Sequence, residues 1–390
     1  MPSRASARDA ERLVRMVLDL FRGGRSKGRS SRGPTDPRGF LAALFVLLIV
    51  AGAAGLVSLA RSRPRLIPGA PAAPSAEGVL FCAWNVENFF DDHDDPSNRD
   101  QDEDWFARDP EAFAKKVEAL RDSVLLHNDG RGPDVLAMVE VESRRSVEAL
   151  RDSLNAVLPP DWQYTGIVQR DDRTGRRFAP AVLTRLAVRE DLTRGPPDFG
   201  NRRVLEAHLE SGGVPLVVLV AHWKSRLGGK EETEARRITY ADELYRRYLS
   251  LRRRDPGLDV IVAGDFNDGP GESSLVEHMH AVADPSLLHE EDAEPSMLDL
   301  VADPSLAGQG TYFFTGRWEF LDHILAPPEL FDGKGWTVRP ETIQVGSFRA
   351  LRRGATGSPW KFGGPRATGA RGYSDHFALS VRLTLVEATP

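Results

Sequence analysis

The feature that most constrains the fold is a series of short apolar runs that end in polar side chains. Residues 260–263 read Val-Ile-Val-Ala and lead directly into Asp265, Asn267 and Asp268. A short apolar run bounded by turn residues is typical of a strand that is buried on both faces. Comparable runs recur at 79–84, 135–139, 181–184, 204–209, 215–220 and 379–385. Strands therefore dominate the chain from residue 79 onward.

Two amphipathic segments lie between these runs. Residues 112–127 repeat apolar side chains every three or four positions, and residues 231–254 place apolar side chains on one face and Arg pairs on the other. This spacing predicts two helices. Strands interspersed with helices indicate a mixed α/β domain whose sheets are covered by helices.

Polar side chains lie at six strand ends: after the runs that end at residues 84, 139, 220 and 263, before the run 379–385, and in the segment EFLDHIL. Each motif alone is explained by ordinary turn chemistry. A sheet, however, brings several strand ends to one rim, so together these side chains predict a polar cleft. They are Asn85, Glu87, Glu140, Glu142, His222, Lys224, Arg226, Asp265, Asn267, Asp322, Asp375 and His376.

The chemistry that suits such a cleft is phosphoester hydrolysis. Carboxylate and amide oxygens are hard ligands for Mg²⁺, Mn²⁺ or Ca²⁺. Cys82 is the only cysteine, which excludes a Cys-based zinc site and a disulfide framework. A hard cation neutralises phosphate oxygens and a leaving alkoxide, a carboxylate activates water, and His or Asn donates to the transition-state oxygens.

Taken in order, the motifs WNVEN, VEVE, AHWKSR, GDFND, LDHIL and YSDHF resemble those of the endonuclease/exonuclease/phosphatase superfamily. The resemblance spans about 79–386 and is nearest to bacterial exported, membrane-anchored, nuclease-like members. It implies a DNase I-like fold, which is a four-layer α-β-β-α sandwich of two mixed sheets with helices outside. It also implies a metal-dependent hydrolase.

The same resemblance implies the metal ligands. The metal would sit on Glu140, assisted by Asn85 and Asp375, and would be Mg²⁺ or Mn²⁺, with Ca²⁺ as an alternative.

The resemblance further implies five catalytic residues. Asp265 would orient or activate the attacking water, while Asn267 and His222 would bind the scissile phosphate. Asp322 would pair with His376, which also faces the phosphate.

One departure from the family pattern concerns the group that orients His222. In the nuclease branch a carboxylate commonly lies near the strand that here reads GRRFAPAVLTR, and this segment has no acid. Arg177 in this segment is instead a candidate for binding substrate phosphate, as is Lys224 two residues after His222.

A second departure is the acidic loop 91–104, with eight Asp and Glu residues, read either as a solvated loop or as a structural Ca²⁺ site.

The segment 342–374 indicates the class of substrate. It has six Lys or Arg, no acid and four aromatic residues. Basic and aromatic side chains together favour a nucleic-acid strand, with Arg352 and Arg353 as binding residues. The alternatives are inositol phosphates or phospholipid headgroups, as in sphingomyelinases, and, outside enzymes, a non-catalytic binding module. Beyond residue 65 the chain has 38 Lys and Arg against 53 Asp and Glu, which argues against a generally basic binding surface.

The N-terminal region predicts membrane attachment. Residues 39–60 form an uncharged apolar stretch of 22 residues, which is long enough to cross a bilayer. The preceding 1–38 carries ten Lys and Arg against four acids, which predicts a cytoplasmic N-terminus. The Pro/Ala-rich segment 61–78 reads as a linker. The catalytic domain, 79–390, would then be periplasmic or extracellular.

Overall fold

The computed structural model describes residues 78–94, 105–170, 178–199, 204–288 and 294–386. The first sheet is built from six strands. They are β1 (Val79–Phe89), β2 (Val135–Val141), β3 (Gly166–Gln169), β4 (Ala179–Thr184), β14 (Trp336–Val345) and β17 (Leu379–Leu385). Their order is β14-β17-β1-β2-β4-β3. β1 is parallel to β2 and antiparallel to β17, so the sheet is mixed.

The second sheet has seven strands in the order β5-β6-β7-β8-β13-β10-β9. The strands are β5 (Ala187–Val188), β6 (Val204–Ser211), β7 (Val214–His222), β8 (Val260–Asp265), β9 (Ala281–Val282), β10 (Met297–Asp299) and β13 (Asp322–Ala326). β7 and β8 are parallel, and β13 is antiparallel to β8. Two small hairpins complete the strands: β11 (Tyr312–Phe314) with β12 (Arg317–Glu319), and β15 (Arg352–Arg353) with β16 (Ser358–Pro359).

The helices are α1 (Trp105–Arg108), α2 (Pro110–Val124), α3 (Arg144–Asn155), α4 (Lys230–Arg254) and α5 (Ser273–Val276). α2 begins where the Asp109 carboxylate accepts from the Ala112 amide, with Pro110 in the first turn. The Ser143 hydroxyl caps α3 in the same way. α2 and α4 correspond to the two helices predicted from amphipathic spacing.

The core shows how these elements form layers. Alternate side chains of both sheets meet in one apolar cluster, which includes Ala83, Val218 and Ile261. The opposite face of the first sheet packs against α2 and α3, and the opposite face of the second packs against α4. The predicted α-β-β-α sandwich is therefore confirmed, and every predicted strand is present.

Three sequence-based predictions lie outside the described residues. They concern the tail 1–38, the apolar stretch 39–60 and all but the last residue of the linker 61–78. Within the described ranges, no helix is both long and apolar enough to cross a membrane.

Candidate active site

The period of the strands brings three polar side chains to one end of the sandwich. In β1, β7 and β8, alternate residues face the core between the sheets, as at Ala83 and Ala263. Continuing this period by two residues places Asn85, His222 and Asp265 at the same inner face. All three are buried.

The two parallel strands β7 and β8 are held in close register at this end. His222 pairs with Asp265 across them. The preceding residue, Gly264, has a φ of +143°, and a Cβ built on it would lie 1.9 Å from the Ala221 carbonyl oxygen. Glycine is therefore required for His222 and Asp265 to lie side by side.

Antiparallel strands deliver the remaining polar groups to the same end. Asp322 begins β13 and pairs with Asp265 in register. Asp375 and His376 precede β17, which runs antiparallel to β1, so they also reach this rim. These antiparallel strands thus bring two carboxyl groups and an imidazole close to Asp265.

Local backbone distortion aims two further side chains at the cavity. The pairing of β2 shifts register after Met138, and Glu140 adopts a φ of 64°. Asn267, in the turn after β8, has a φ of 55°. Bulges and left-handed residues of this kind re-aim side chains and cost free energy that the surrounding structure must offset.

Asn85 is the hub of the resulting cluster. Its Nδ2 donates to Glu140 Oε1 at 3.1 Å and to Asp265 Oδ2 at 2.9 Å. His222 Nε2 lies 3.7 Å from the same Asp265 oxygen and 4.0 Å from Glu140 Oε1. The backbone N–H of Asn267 donates to the other Asp265 oxygen, Oδ1, at 2.9 Å.

A histidine–aspartate pair faces Asp265 from the other side. His376 Nδ1 lies 2.7 Å from Asp322 Oδ2, and its Nε2 lies 3.9 Å from Asp265 Oδ2. Burial alone would lower the pKa of His376, but the Asp322, Asp265 and Asp375 carboxylates raise it well above its ordinary value. The raised pKa favours the cationic form of His376, held beside the Asp265 carboxylate.

These groups lie on the wall of a cavity of about 960 Å³. Seven of the eight predicted catalytic and metal-binding residues line it: Asn85, Glu140, His222, Asp265, Asn267, Asp375 and His376. Asp322 lies behind His376. The structure therefore brings together all eight residues predicted for the metal and the chemistry.

The donor set fits a divalent cation. Burial, reinforced by Asp322, raises the pKa of Asp265 to about 7, although His376 and Asn85 oppose the shift. Burial and Glu140 likewise raise the pKa of Asp375, against the opposing effect of His376. Ligand atoms of Asp265, Asp322 and His376, none of which is a predicted metal ligand, also lie within 4.8 Å of one another. Crowded, buried carboxylates whose ionisation is penalised are stabilised by a bound hard cation.

The predicted substrate-binding residues have different locations. Lys224 lines the cavity. Arg352 and Arg353 are exposed on β15 and do not line it, although the hairpin that they belong to contacts β11. That Arg352 and Arg353 bind substrate stays a prediction. Arg177 lies outside the described residues.

The described part of the acidic loop is engaged in contacts with the protein. Asp91 accepts from the Ser143 hydroxyl at 2.5 Å, and Asp92 pairs with Arg145. Residues 95–104, which carry the other five acids of the loop after Asp94, lie outside the described residues, so the Ca²⁺ alternative stays a prediction.

Sequence reasoning missed one wall of the cavity, the hairpin β11–β12. Its cross-strand pairs alternate between two faces. Phe313 and Trp318 face the protein, where Trp318 stacks on Phe377. The opposite face lines the cavity with Tyr312, Phe314, Arg317 and Glu319. The signal was available, since Thr315-Gly316 between alternating residues is typical of a two-residue hairpin turn.

A comparison with protein families places this site in context. Residues 80–385 match the endonuclease/exonuclease/phosphatase family. The chain belongs to this family. The resemblance seen in the motifs is thus confirmed, and membership supports a hydrolase of the phosphoesterase or nuclease type.

Solved structures show similar folds at low identity. TDP2 from C. elegans has a TM-score of 0.48 at 14% identity, covering 92% of this chain and 97% of that one. A mannosyl-6-phosphatase from Bacteroides thetaiotaomicron has 0.47 at 16%, covering 79% and 100%. D. rerio TDP2, complexed with a single-strand DNA product, has 0.45 at 13%, covering 79% and 99%. No curated protein matches the chain significantly. At these values no substrate is assigned by similarity.

Proposed function

We propose that the protein is a metal-dependent phosphodiester hydrolase that cleaves a nucleic-acid strand. The observation that carries the reaction is the buried cluster in which Asn85, Glu140, His222 and His376 surround the Asp265 carboxylate. The observation that carries the substrate is the aromatic and cationic wall beside it.

Asp265 is positioned to orient and deprotonate the attacking water. One of its oxygens accepts from Asn85 and the other from the Asn267 backbone, so the carboxylate has a fixed orientation. A pKa near 7 suits a general base that works at neutral pH. His376 and His222 face the same oxygen and would donate to phosphate oxygens as negative charge develops.

Glu140 and Asp375 would hold the cation through their carboxylate oxygens, whereas Asn85, the third predicted ligand, faces the cluster with Nδ2 while its Oδ1 accepts from the Glu87 backbone amide. When bound, a divalent cation supplies charge neutralisation at the phosphate and the leaving oxygen. Without it, burial and Glu140 penalise ionisation of Asp375.

The cavity face of the β11–β12 hairpin favours a nucleic-acid strand. The rings of Tyr312 and Phe314 are nearly parallel, with centroids 6.2 Å apart, and Tyr312 in turn lies 4.8 Å from His376. Phe314 is 56% exposed, so its ring is open to a stacking partner. Arg317 stands directly across the hairpin from Phe314 and is exposed. Exposed aromatic rings with neighbouring cations suit bases and phosphates.

Phospholipid headgroups are the alternative that a specific observation favours. Leu227, which is 81% exposed, lies on the cavity lining together with Phe314. Exposed apolar side chains flanked by cations also suit a lipid surface. The nearly parallel Tyr312 and Phe314 rings favour a planar base over an acyl chain.

The test is a substrate panel with the full chain and Mg²⁺ or Mn²⁺. We expect hydrolysis of single-stranded DNA or RNA to exceed that of inositol phosphates and of sphingomyelin vesicles. Phe314→Ala and Arg317→Gln should raise KM for the strand, and only Arg317→Gln should flatten its salt dependence. Arg246→Gln, an exposed arginine of α4 paired with Glu243, is the control. Preferential hydrolysis of sphingomyelin would replace the nuclease assignment with the lipid one.

We also propose that the domain acts outside the cytoplasm, attached through residues 39–60. Support comes from the uncharged stretch and its basic N-terminal flank. The full chain should stay with membranes after an alkaline carbonate wash, and added protease should reach the domain only from the non-cytoplasmic side. Protease access from the cytoplasmic face would contradict this topology.

A further inference from the structure

Arg226 makes a set of contacts that its place in the cavity lining does not suggest. Its Nε donates to the Asn267 carbonyl oxygen at 2.7 Å. One terminal nitrogen lies 2.7 Å from Glu319 Oε2, and the other lies 3.4 Å from Asp268 Oδ1. All three guanidinium nitrogens are therefore engaged, and the nitrogen near Asp268 also lies 4.0 Å from Glu272 Oε1.

These contacts reach two different walls of the cavity. Asn267 and Asp268 form the turn that follows Asp265. Glu319 lies on β12, on the hairpin face that lines the cavity. Arg226 itself belongs to the loop that also carries Lys224. One side chain thus joins the catalytic turn, the hairpin and the Lys224 loop.

Its ion pairs with carboxylates distinguish Arg226 from other cations of the cavity. Lys224 and Arg317 have no described carboxylate within ion-pair distance and line the same cavity, so they are available to a phosphate. Arg226 is only 22% exposed and is engaged with acids on two sides. A guanidinium whose nitrogens are all occupied has few donors left for substrate.

The catalytic turn has a second support that is independent of Arg226. Arg237, whose side chain is fully buried, places Nε 2.7 Å from Asp268 Oδ2. Ser274 donates to the same carboxylate oxygen at 2.7 Å, and His323 contacts the Asp268 carbonyl oxygen at 2.8 Å. Loss of Arg226 would therefore leave the turn in place and free the loop and the hairpin from it.

We propose that Arg226 is a positioning residue that fixes the substrate-binding loop and hairpin relative to the Asp265–Asn267 turn. Its role is to set where a bound strand places its phosphate with respect to Asp265. The expected effect of Arg226 on turnover rests on the proposed function, whereas its effect on the positions of the loop and the hairpin does not.

The planar fork of arginine is essential to this role. Lysine presents its donors from one nitrogen on a flexible stem and does not reproduce the fork that joins the Asn267 carbonyl oxygen to Glu319. Arg226→Lys is therefore expected to behave like Arg226→Gln. A residue that acted only through its positive charge would instead be rescued by lysine.

The structural test is hydrogen exchange of the full chain, which needs no substrate. Arg226→Gln and Glu319→Gln should each speed exchange in residues 224–230 and 312–319, with no change in residues 260–268. Arg246→Gln is the matched control and should change neither segment. Unchanged exchange at 224–230 and 312–319 in both variants would overturn the proposal.

The kinetic test is a double-mutant cycle on the strand that the wild-type protein cleaves. Arg226→Gln and Glu319→Gln should each lower kcat by about tenfold, with the double variant no worse than either single one. The salt dependence of KM should be unchanged, because no phosphate contact is lost. Additive losses, rescue by Arg226→Lys or a flattened salt dependence would overturn it. Failure of the wild type to cleave any nucleic acid would refute the proposed function and leave the exchange result to decide this inference.

Discussion

Nδ1 of His376 lies 2.7 Å from Oδ2 of Asp322, and both side chains are buried. Because the carboxylate accepts the Nδ1 proton, the imidazole has a fixed orientation and its Nε2 faces the cavity. The same pairing raises the pKa of His376 and so favours the protonated ring. A fixed imidazolium beside a carboxylate is the arrangement expected for stabilising phosphate oxygens.

The first prediction concerns this pair. His376→Ala should lower kcat by about 10²–10³-fold, the range for removing one donor that stabilises negative charge in the transition state. Asp322→Ala should lower it by a similar factor, since it leaves the imidazole without its partner. The double variant should be no slower than His376→Ala alone. Independent, multiplying losses in single-turnover kinetics would show that the two residues do not act as a unit.

Much of the fold and of the site was predictable from the sequence, because both depend on local periodicity. Apolar runs of strand length located the strands, and the polar side chains at their ends predicted the rim where Asn85, His222 and Asp265 lie. The helical spacing in 112–127 and 231–254 located α2 and α4 to within a few residues. The motifs identified the family.

The rest depends on contacts between residues that are distant in sequence. The left-handed conformation of Glu140 arises from a register shift between paired strands and has no local marker. Arg226 and Glu319, which form an ion pair, lie 93 residues apart in the sequence. Arg352 and Arg353 were predicted to bind substrate from composition, which cannot show that they lie on a separate hairpin.

The second prediction concerns the cation. EDTA should abolish hydrolysis and Mg²⁺ or Mn²⁺ should restore it, since the proposed ligands are all oxygens. The metal should also raise the Tm, because a ligand that binds only the folded state stabilises it. Glu140→Gln keeps the shape and removes the charge, so a higher metal concentration should be needed for both effects. Full activity in EDTA would contradict a metal-dependent mechanism.

The third prediction concerns pH and stability without metal. Asp265 has a pKa of about 7 in the fold against an ordinary value of 3.8, so the folded state binds more protons between these values. Its contribution to the free energy of unfolding is therefore largest at low pH and is lost as pH rises toward 7. Asp265→Asn cannot ionise and avoids this loss. The measurement is urea unfolding in EDTA at pH 5 and pH 8. The free energy of unfolding of the variant, relative to that of the wild type, should be higher at pH 8 than at pH 5. An equal difference at both pH values would show that ionisation of Asp265 is not penalised.

The central claim is that the strand-end cluster around Asp265 is where phosphodiester hydrolysis occurs, and turnover of Asp265→Asn tests it most directly. Asparagine is nearly isosteric and suits the same turn, so the fold should be retained. We expect kcat to fall by about 10²–10⁴-fold, with KM and the salt dependence of binding little changed. The measurement is steady-state turnover on each substrate that the wild type cleaves, at saturating metal. Near-normal turnover by Asp265→Asn on all of them would place the chemistry elsewhere.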